Sequence, residues 1–333
     1  MTNFLTVAQQ VAVLFALMGV GAAMRWTRLL RDAAIDGMVN LLILIVTPCI
    51  IVDVFQRPFS PSMLKGLGIA FALAVAAHLA VIALSRLAVR HRDENVQRPM
   101  RLAAVFSNAG FMGLPLEQAV LGDEGVFYGI VYVAVFNLFM WSWGLKEMKS
   151  DEVKVERDET RERVRNGGTG ETAGGGLGWF DWKMVVNPGT VGIALGLPLF
   201  FLSVTLPPLV ATPVHLISEL NTPLAMIVIG FGLAGAKLGK VARQPVVYVA
   251  TAIRLLICPL LVIAAMYPFR QVLARDMMLA ITIAAAAPVA AMVSMFATKF
   301  ARDVDTSVAV VSGSTLLSIV TIPPIVAFAM AVL

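Results

Sequence analysis

Long apolar segments alternate with short polar ones along most of the chain. A helix needs about 20 mostly apolar residues to cross a bilayer, and ten segments meet that requirement. The predicted spans are 4–23, 34–55, 64–88, 100–121, 125–145, 187–207, 216–236, 245–267, 277–298 and 304–331. They are apolar on all sides, as membrane helices are. The pattern therefore predicts an all-α integral membrane protein of about ten transmembrane helices.

The segment 146–186 interrupts this pattern because it is charged and rich in glycine. It lacks the apolar content to fold alone, and we predict a disordered cytoplasmic linker. The linker separates 1–145 from 187–333, with five predicted spans in each. Because an odd number of spans reverses the entry direction of the second half, we expect two inverted five-helix repeats, an architecture common among secondary transporters.

Composition supports a membrane protein and excludes several other classes. Hydrophobic residues make up 59% of the chain and charged residues 14%, with a mean hydropathy of +0.83. Soluble domains usually carry about 25% charged residues, so the expected partner is the lipid bilayer. Cys49 and Cys258 lie far apart in apolar runs, which suggests neither a disulfide framework nor a metal site. We expect no cofactor, no metal and no nucleic-acid partner.

The distribution of basic residues predicts the orientation. If the N-terminus lies outside, 21 of the 26 lysines and arginines fall in inside loops and 4 in outside loops. Cytoplasmic loops of membrane proteins carry such an excess. We therefore expect both termini to be periplasmic or extracellular, with 146–186 in the cytoplasm and the bacterial inner membrane as the location.

Two spans contain residues that break helices. The fourth holds Ser107-Asn108-Ala-Gly110-Phe-Met-Gly-Leu-Pro115, in which two glycines, an asparagine and a proline weaken the helix and free backbone amides. The ninth is broken at Pro288, 180 positions after Asn108, and is followed by Ser294. At membrane depth such backbone must be covered by protein or line a wet cavity. The alternative is a pair of kinked helices packed through small residues.

Four motifs carry a resemblance to a known family. They are Asn108-Ala-Gly-Phe-Met-Gly-Leu-Pro115, Arg254-Leu-Leu-Ile-Cys-Pro259, Thr222-Pro-Leu-Ala-Met and Ser314-Thr-Leu-Leu-Ser-Ile-Val-Thr. With these motifs the sequence resembles the auxin efflux carrier family, which includes the plant PIN carriers and bacterial malate or malonate permeases. The resemblance extends over both membrane halves. Plant members have a proline where Ser107 stands, so plant auxin specificity is not carried over.

The resemblance implies a mechanism and a set of site residues. It implies a scaffold of spans 1, 2, 6 and 7, a mobile domain of spans 3–5 and 8–10, elevator-type motion and a homodimer. It also implies that spans 4 and 9 cross where they are unwound and bind a substrate carboxylate there. The candidate substrate-binding residues are Ser107, Asn108, Gly110, Asn137, Pro288 and Ser294.

Arg254 is the most costly residue within a predicted span. A central arginine costs about 2.5–3.5 kcal/mol on insertion scales. One interpretation is a structural partner of a carboxylate, with Asp53 and Glu117 as candidates, or of carbonyl groups at helix ends. The other interpretation is a positive charge that attracts an anionic substrate. The sequence leaves both open.

A secondary transporter of small organic anions, such as dicarboxylates or auxin-like acids, is the function the sequence favours. A receptor or sensor that binds an organic acid without transport is the alternative. An intramembrane enzyme is not expected, because the sequence contains no GxSxG or HExxH motif. The glycines of Gly230–Gly235 match GxGxxG but end an apolar helix, so we exclude a dinucleotide site. Substrate identity, transport direction and the coupling ion stay open.

Overall fold

The computed structural model describes residues 2–149, 188–235 and 244–333. The predicted linker lies mostly outside these ranges, apart from its first four residues, which continue a helix. The helices are α1 Thr2–Trp26, α2 Asp32–Phe55, α3 Pro61–Ala88, α4 Glu94–Val105, α5 Leu114–Leu121, α6 Asp123–Lys149, α7 Pro188–Phe201, α8 Pro208–Ala234, α9 Pro245–Phe269, α10 Arg275–Ala286, α11 Met292–Lys299 and α12 Val304–Val332.

Seven helices within the described ranges are long and apolar enough to cross a membrane, namely α1, α2, α3, α6, α8, α9 and α12. α7 is a shorter apolar helix. The predicted fourth and ninth spans are not continuous helices: the chain unwinds between α4 and α5 and between α10 and α11. The seventh span begins at Pro208, earlier than the predicted residue 216, so its start was wrong.

Three π-helical turns end directly before an X-Pro pair. They are Leu42–Val46 within α2, Ala109–Gly113 before α5 and Ile253–Ile257 within α9. A proline inside a helix removes one hydrogen bond and its ring clashes with the carbonyl four residues earlier. The wider turn relieves that clash, and such turns are frequent at functional sites. Two of the three turns contain or adjoin residues singled out from the sequence, Arg254 and Asn108.

Glycines bring two helix pairs into close contact. A Cβ at Gly230 of α8 would lie 1.9 Å from the carbonyl oxygen of Met18 in α1. In the other pair, Gly192 and Gly196 of α7 lie against α2, with a Cβ at Gly192 only 3.0 Å from Pro48. Small residues at membrane-helix interfaces allow this approach of backbones. α1 therefore packs along α8, and α2 along α7.

α10 lies in the interior, with every residue from Met277 to Ala286 buried. It packs against α5, α6, α9 and α12. The break that follows it is equally enclosed, since Ala287, Val289 and Ala290 are at most 2% exposed. Unwound backbone at this depth needs polar partners from the protein. The break between α4 and α5 supplies some of them.

Candidate functional site

The two breaks cross, and their main chains hydrogen-bond to each other. The Asn108 N–H donates to the carbonyl oxygen of Pro288 at 2.6 Å. The Ala290 N–H donates to the carbonyl oxygen of Phe106 at 2.9 Å. The residues between these two bonds form an isolated antiparallel β-bridge. Each break thus satisfies part of the other's freed backbone.

Local sequence explains where each helix stops. Pro288 disfavours helical geometry in the residue before it, and Ala287 is extended with ψ of 146°. In the other break Phe106 is extended with ψ of 114°, although no proline follows it. Its conformation is set by the β-bridge and by burial, since Phe106 is 0% exposed. The Val289 N–H is also satisfied, because it donates to Ser314 Oγ of α12 at 3.1 Å.

Donors remain free on both sides of the crossing. Within the described ranges, no acceptor takes the N–H groups of Ala109, Gly110 and Phe111, or those of Ala291 and Met292. These amides stand at the start of the second half of each broken span. Helix N-termini carry about half a positive charge, so free amides there favour an anion.

Asn108 directly precedes the first of these donors, Ala109, in the sequence. It is 7% exposed, and no hydrogen bond joins its side-chain amide to any other residue that the structure describes. Gly110 has open space beside it, because a Cβ there would meet no heavy atom within 4 Å. A buried amide without a partner next to open space and free N–H groups can donate to a ligand oxygen.

Arg254 lies at the ends of the first halves of both broken spans. Its Nη1 donates to the carbonyl oxygen of Val105, the last residue of α4, at 2.6 Å. Its Nη2 donates to the carbonyl oxygen of Ala285, near the end of α10, and to Cys258 Sγ at 2.8 Å. The side chain is 0% exposed. The positive guanidinium therefore neutralises the negative ends of two helix dipoles.

The acids considered as partners of Arg254 lie elsewhere. Asp53 accepts hydrogen bonds from Ser218 Oγ at 2.7 Å and from His215 Nδ1 at 2.9 Å. Glu117 is fully buried, and neither of its carboxyl oxygens has a hydrogen-bond partner among the described residues. The structure thus places Arg254 on helix-end carbonyls and not on a carboxylate.

Comparison with known proteins identifies the family. Residues 6–326 match the family model described as "Membrane transport protein", which is the model of the auxin efflux carrier family. The chain belongs to the auxin efflux carrier family. Proteins of this family are membrane transporters and not enzymes, so the chain is a multi-pass membrane transport protein. Among curated proteins, no sequence matches it.

In this member of the auxin efflux carrier family, four of the six candidate residues lie at the crossing: Ser107, Asn108, Gly110 and Pro288. Ser107 is fully buried, and its hydroxyl has no hydrogen-bond partner among the described residues. The other two candidates lie apart from the β-bridge.

Ser294 lies in the first turn of α11, where its hydroxyl donates to the carbonyl oxygen of Ala291 at 2.8 Å. Asn137 of α6 donates to the Val133 carbonyl oxygen at 3.0 Å. It lines a cavity of about 20 Å³ between α2, α6 and α7, which is about the space of one water molecule. Leu114, at the start of α5, borders the same cavity.

One cavity of the carrier was not anticipated from the sequence. It measures about 690 Å³ and lies where α2 ends, α6 begins and α7 connects to α8. Arg57 spans this region, with Nη1 at 2.9 Å from Glu124 Oε1. The charge pattern predicts that these loops lie outside. None of the residues of the crossing lines this cavity.

Proposed function

We propose that this carrier is a secondary transporter of small organic anions that binds the substrate carboxylate at the crossing of the two broken spans. The observation that carries the proposal is Asn108, a residue 7% exposed whose side-chain amide has no partner in the described ranges and lies beside free N–H groups. A carboxylate that leaves water must exchange its hydration for fixed donors. Free backbone amides, a helix N-terminus and a neutral side-chain amide provide them.

A neutral site suits a carrier. Arg254 is the only buried arginine beside the breaks in the described chain, and its guanidinium is engaged by helix-end carbonyls. A substrate held by amides and dipoles alone can leave more readily than one held by a desolvated arginine, because its departure leaves no uncompensated buried charge on the protein.

Alternating access by an elevator motion is the mechanism we infer. The close contacts of α1 with α8 and of α2 with α7 suit a rigid scaffold. Both breaks, and the arginine that joins them, belong to the remaining helices, which would move as one body. The contact layer between the two groups is apolar and includes Met112, Leu116, Val11 and Met226. Sliding along this layer breaks no ion pair within it, whereas the ion pair of Arg57 with Glu124, at the end of α2 and the start of α6, would have to open.

Inverted repeats account for the pairing of the helices. Exchange of the two halves maps α1 onto α7 and α2 onto α8, so the pair α1–α8 maps onto α7–α2. Both pairs are in close contact through glycines. The same exchange maps the break at Asn108 onto the break at Pro288. We further propose, from the family, a homodimer in the bacterial inner membrane.

Orientation has its own test. With both termini outside, a reporter fused after Leu333 should be active only as a periplasmic protein, and one inserted within 150–178 only as a cytoplasmic protein. Cytoplasmic activity from the C-terminal fusion would exclude the proposed arrangement.

Two measurements on the same purified protein distinguish a transporter from a receptor. The first is a thermal-shift screen with dicarboxylates and aromatic carboxylates, since a ligand that prefers the folded state raises the unfolding midpoint. The second is uptake of the best radiolabelled binder into proteoliposomes. Binding with uptake above that of protein-free vesicles supports the transporter. Binding without uptake, with an intact membrane-inserted protein, would favour a receptor.

A further inference from the structure

Glu117 is a buried acid that the proposed transport mechanism does not use. It lies in α5, nine positions after Asn108, and its side chain is 0% exposed. Neither carboxyl oxygen has a hydrogen-bond partner in the described ranges. An isolated carboxylate in such surroundings is so costly that the group holds a proton instead.

No ion pair compensates Glu117 among the residues that the structure describes. The titratable groups on the elements packed against α5 are Arg25 of α1; Asp123, Glu124, Tyr128, Tyr132, Lys146, Glu147 and Lys149 of α6; His215 and Glu219 of α8; and Arg275 and Asp276 of α10. Neither carboxyl oxygen of Glu117 accepts a hydrogen bond from any of them.

Gly129 of α6 makes room for the carboxyl group. A Cβ at that position would lie 1.6 Å from Glu117 Oε2, so the acid fits only against a glycine. The fit is too tight for a metal ion between α5 and α6. Within the described ranges, no group of three or more histidine, cysteine or acidic side chains is arranged to hold a metal. A proton is the cation that this site admits.

We propose that Glu117 is a proton-binding site of the carrier, and that its proton is coupled to the substrate anion at the crossing. This inference rests on the proposed function. In the present conformation the acid is protonated. It releases its proton to water when motion at the contact between α5 and α1 exposes it. Its neighbour Leu116 belongs to that contact, where it packs with Val11 and Leu14 of α1.

The coupling follows from electrostatics. Nine residues of helix span about 13 Å at a rise of about 1.5 Å each. At an effective dielectric constant of about 20, a negative charge on Glu117 would weaken binding of each substrate charge at the crossing by about tenfold. A rise in pH that removes the proton therefore lowers anion affinity, and by reciprocity a bound anion tightens the proton.

The test uses the full-length purified protein and two variants. Glu117→Gln mimics the protonated acid, and Asp276→Asn removes an exposed acid at the start of the adjacent α10 as a matched control. Infrared spectra at neutral pH should show the carbonyl band of a protonated carboxyl group in wild type and in Asp276→Asn but not in Glu117→Gln. Glutamate labelled with ¹³C in wild type should shift the band.

Malate is the binding probe. Its affinity for wild type should fall about tenfold or more as pH rises through deprotonation, whereas Glu117→Gln should keep the high affinity. An acid-outside gradient should drive malate accumulation by wild type and not by Glu117→Gln.

Wild type without the infrared band at neutral pH would overturn the proton site, whether or not the variants fold. A band with pH-independent malate affinity, or accumulation that depends on sodium, would overturn the coupling. If malate binds to none of the proteins, the crossing fails as a malate site, while the band still decides whether Glu117 holds a proton.

Discussion

Replacement of Arg254 separates its two possible roles. In the structure its guanidinium donates to the carbonyl oxygens of Val105 and Ala285, which lie at or next to the last residue of α4 and α10. The ammonium of a lysine has the same charge but lacks the rigid two-nitrogen fork with which the guanidinium holds the two carbonyls. Arg254→Lys should therefore loosen the crossing without removing a substrate contact.

The magnitude follows from the bonds that are lost. A hydrogen bond to a charged group contributes about 1.5–3 kcal/mol, so loss of one should lower the unfolding free energy by about that amount in Arg254→Lys. Arg254→Met would leave both carbonyl groups without a donor, at about 1–3 kcal/mol each. We therefore expect a total loss of about 2–6 kcal/mol in Arg254→Met and a lower unfolding midpoint for each variant.

The assay is thermal and urea unfolding in detergent, together with substrate affinity measured on the monodisperse fraction. Arg275→Lys is the matched control, because Arg275 also donates to a helix carbonyl, that of Met330 at 2.6 Å, but is exposed. It should change the unfolding free energy by less than about 0.5 kcal/mol. Wild-type stability with lost binding in Arg254→Lys would refute this reasoning and make Arg254 a substrate contact.

Three further predictions concern packing, turnover and the linker. Gly230→Ala should destabilise the protein by about 1–3 kcal/mol, since its Cβ would overlap the main chain of α1, whereas Gly232→Ala meets nothing within 4 Å and should not; equal midpoints would contradict the packing. Pro288→Ala should slow uptake more than it weakens binding, because alanine restores a backbone N–H that lets the helix re-form across the break. Unchanged turnover would count against a role for the break in the transport motion. A flexible spacer in place of 152–176 should leave uptake by inserted protein nearly unchanged, and abolished uptake would assign this segment a part in transport.

The residues predict the two breaks because the cause of each is partly local, whereas the crossing was implied only by the family resemblance. Pro288 breaks its helix through its own ring, and the glycines around Asn108 weaken theirs. The point of unwinding in the fourth span is different, since α4 already ends at Val105, before the weak residues begin. Phe106 and Ser107 are extended because they pair with the other break, and that pairing joins residues about 180 positions apart.

The partners of buried charges could not be predicted for the same reason. Arg254 bonds a carbonyl 149 positions away, and carbonyl groups leave no trace in a sequence. Glu117 looked like a possible partner for Arg254 because both are charged residues in apolar segments. Only the three-dimensional arrangement separates them, since it places Glu117 against Gly129, without a hydrogen-bond partner in the described ranges.

The central claim is that the crossing binds the substrate, and Asn108→Ala tests it most directly. Removal of the buried amide should weaken binding of the best carboxylate by about 1–3 kcal/mol, with a matching loss of uptake at low substrate concentration. Thr282→Ala is the control. The Thr282 hydroxyl is also buried and lies in α10, the helix before the second break, but it bonds only within its own helix, to the Met278 carbonyl oxygen at 2.8 Å. Isothermal calorimetry on folded protein should show the loss for Asn108→Ala alone. Wild-type affinity and wild-type uptake in Asn108→Ala would contradict the account.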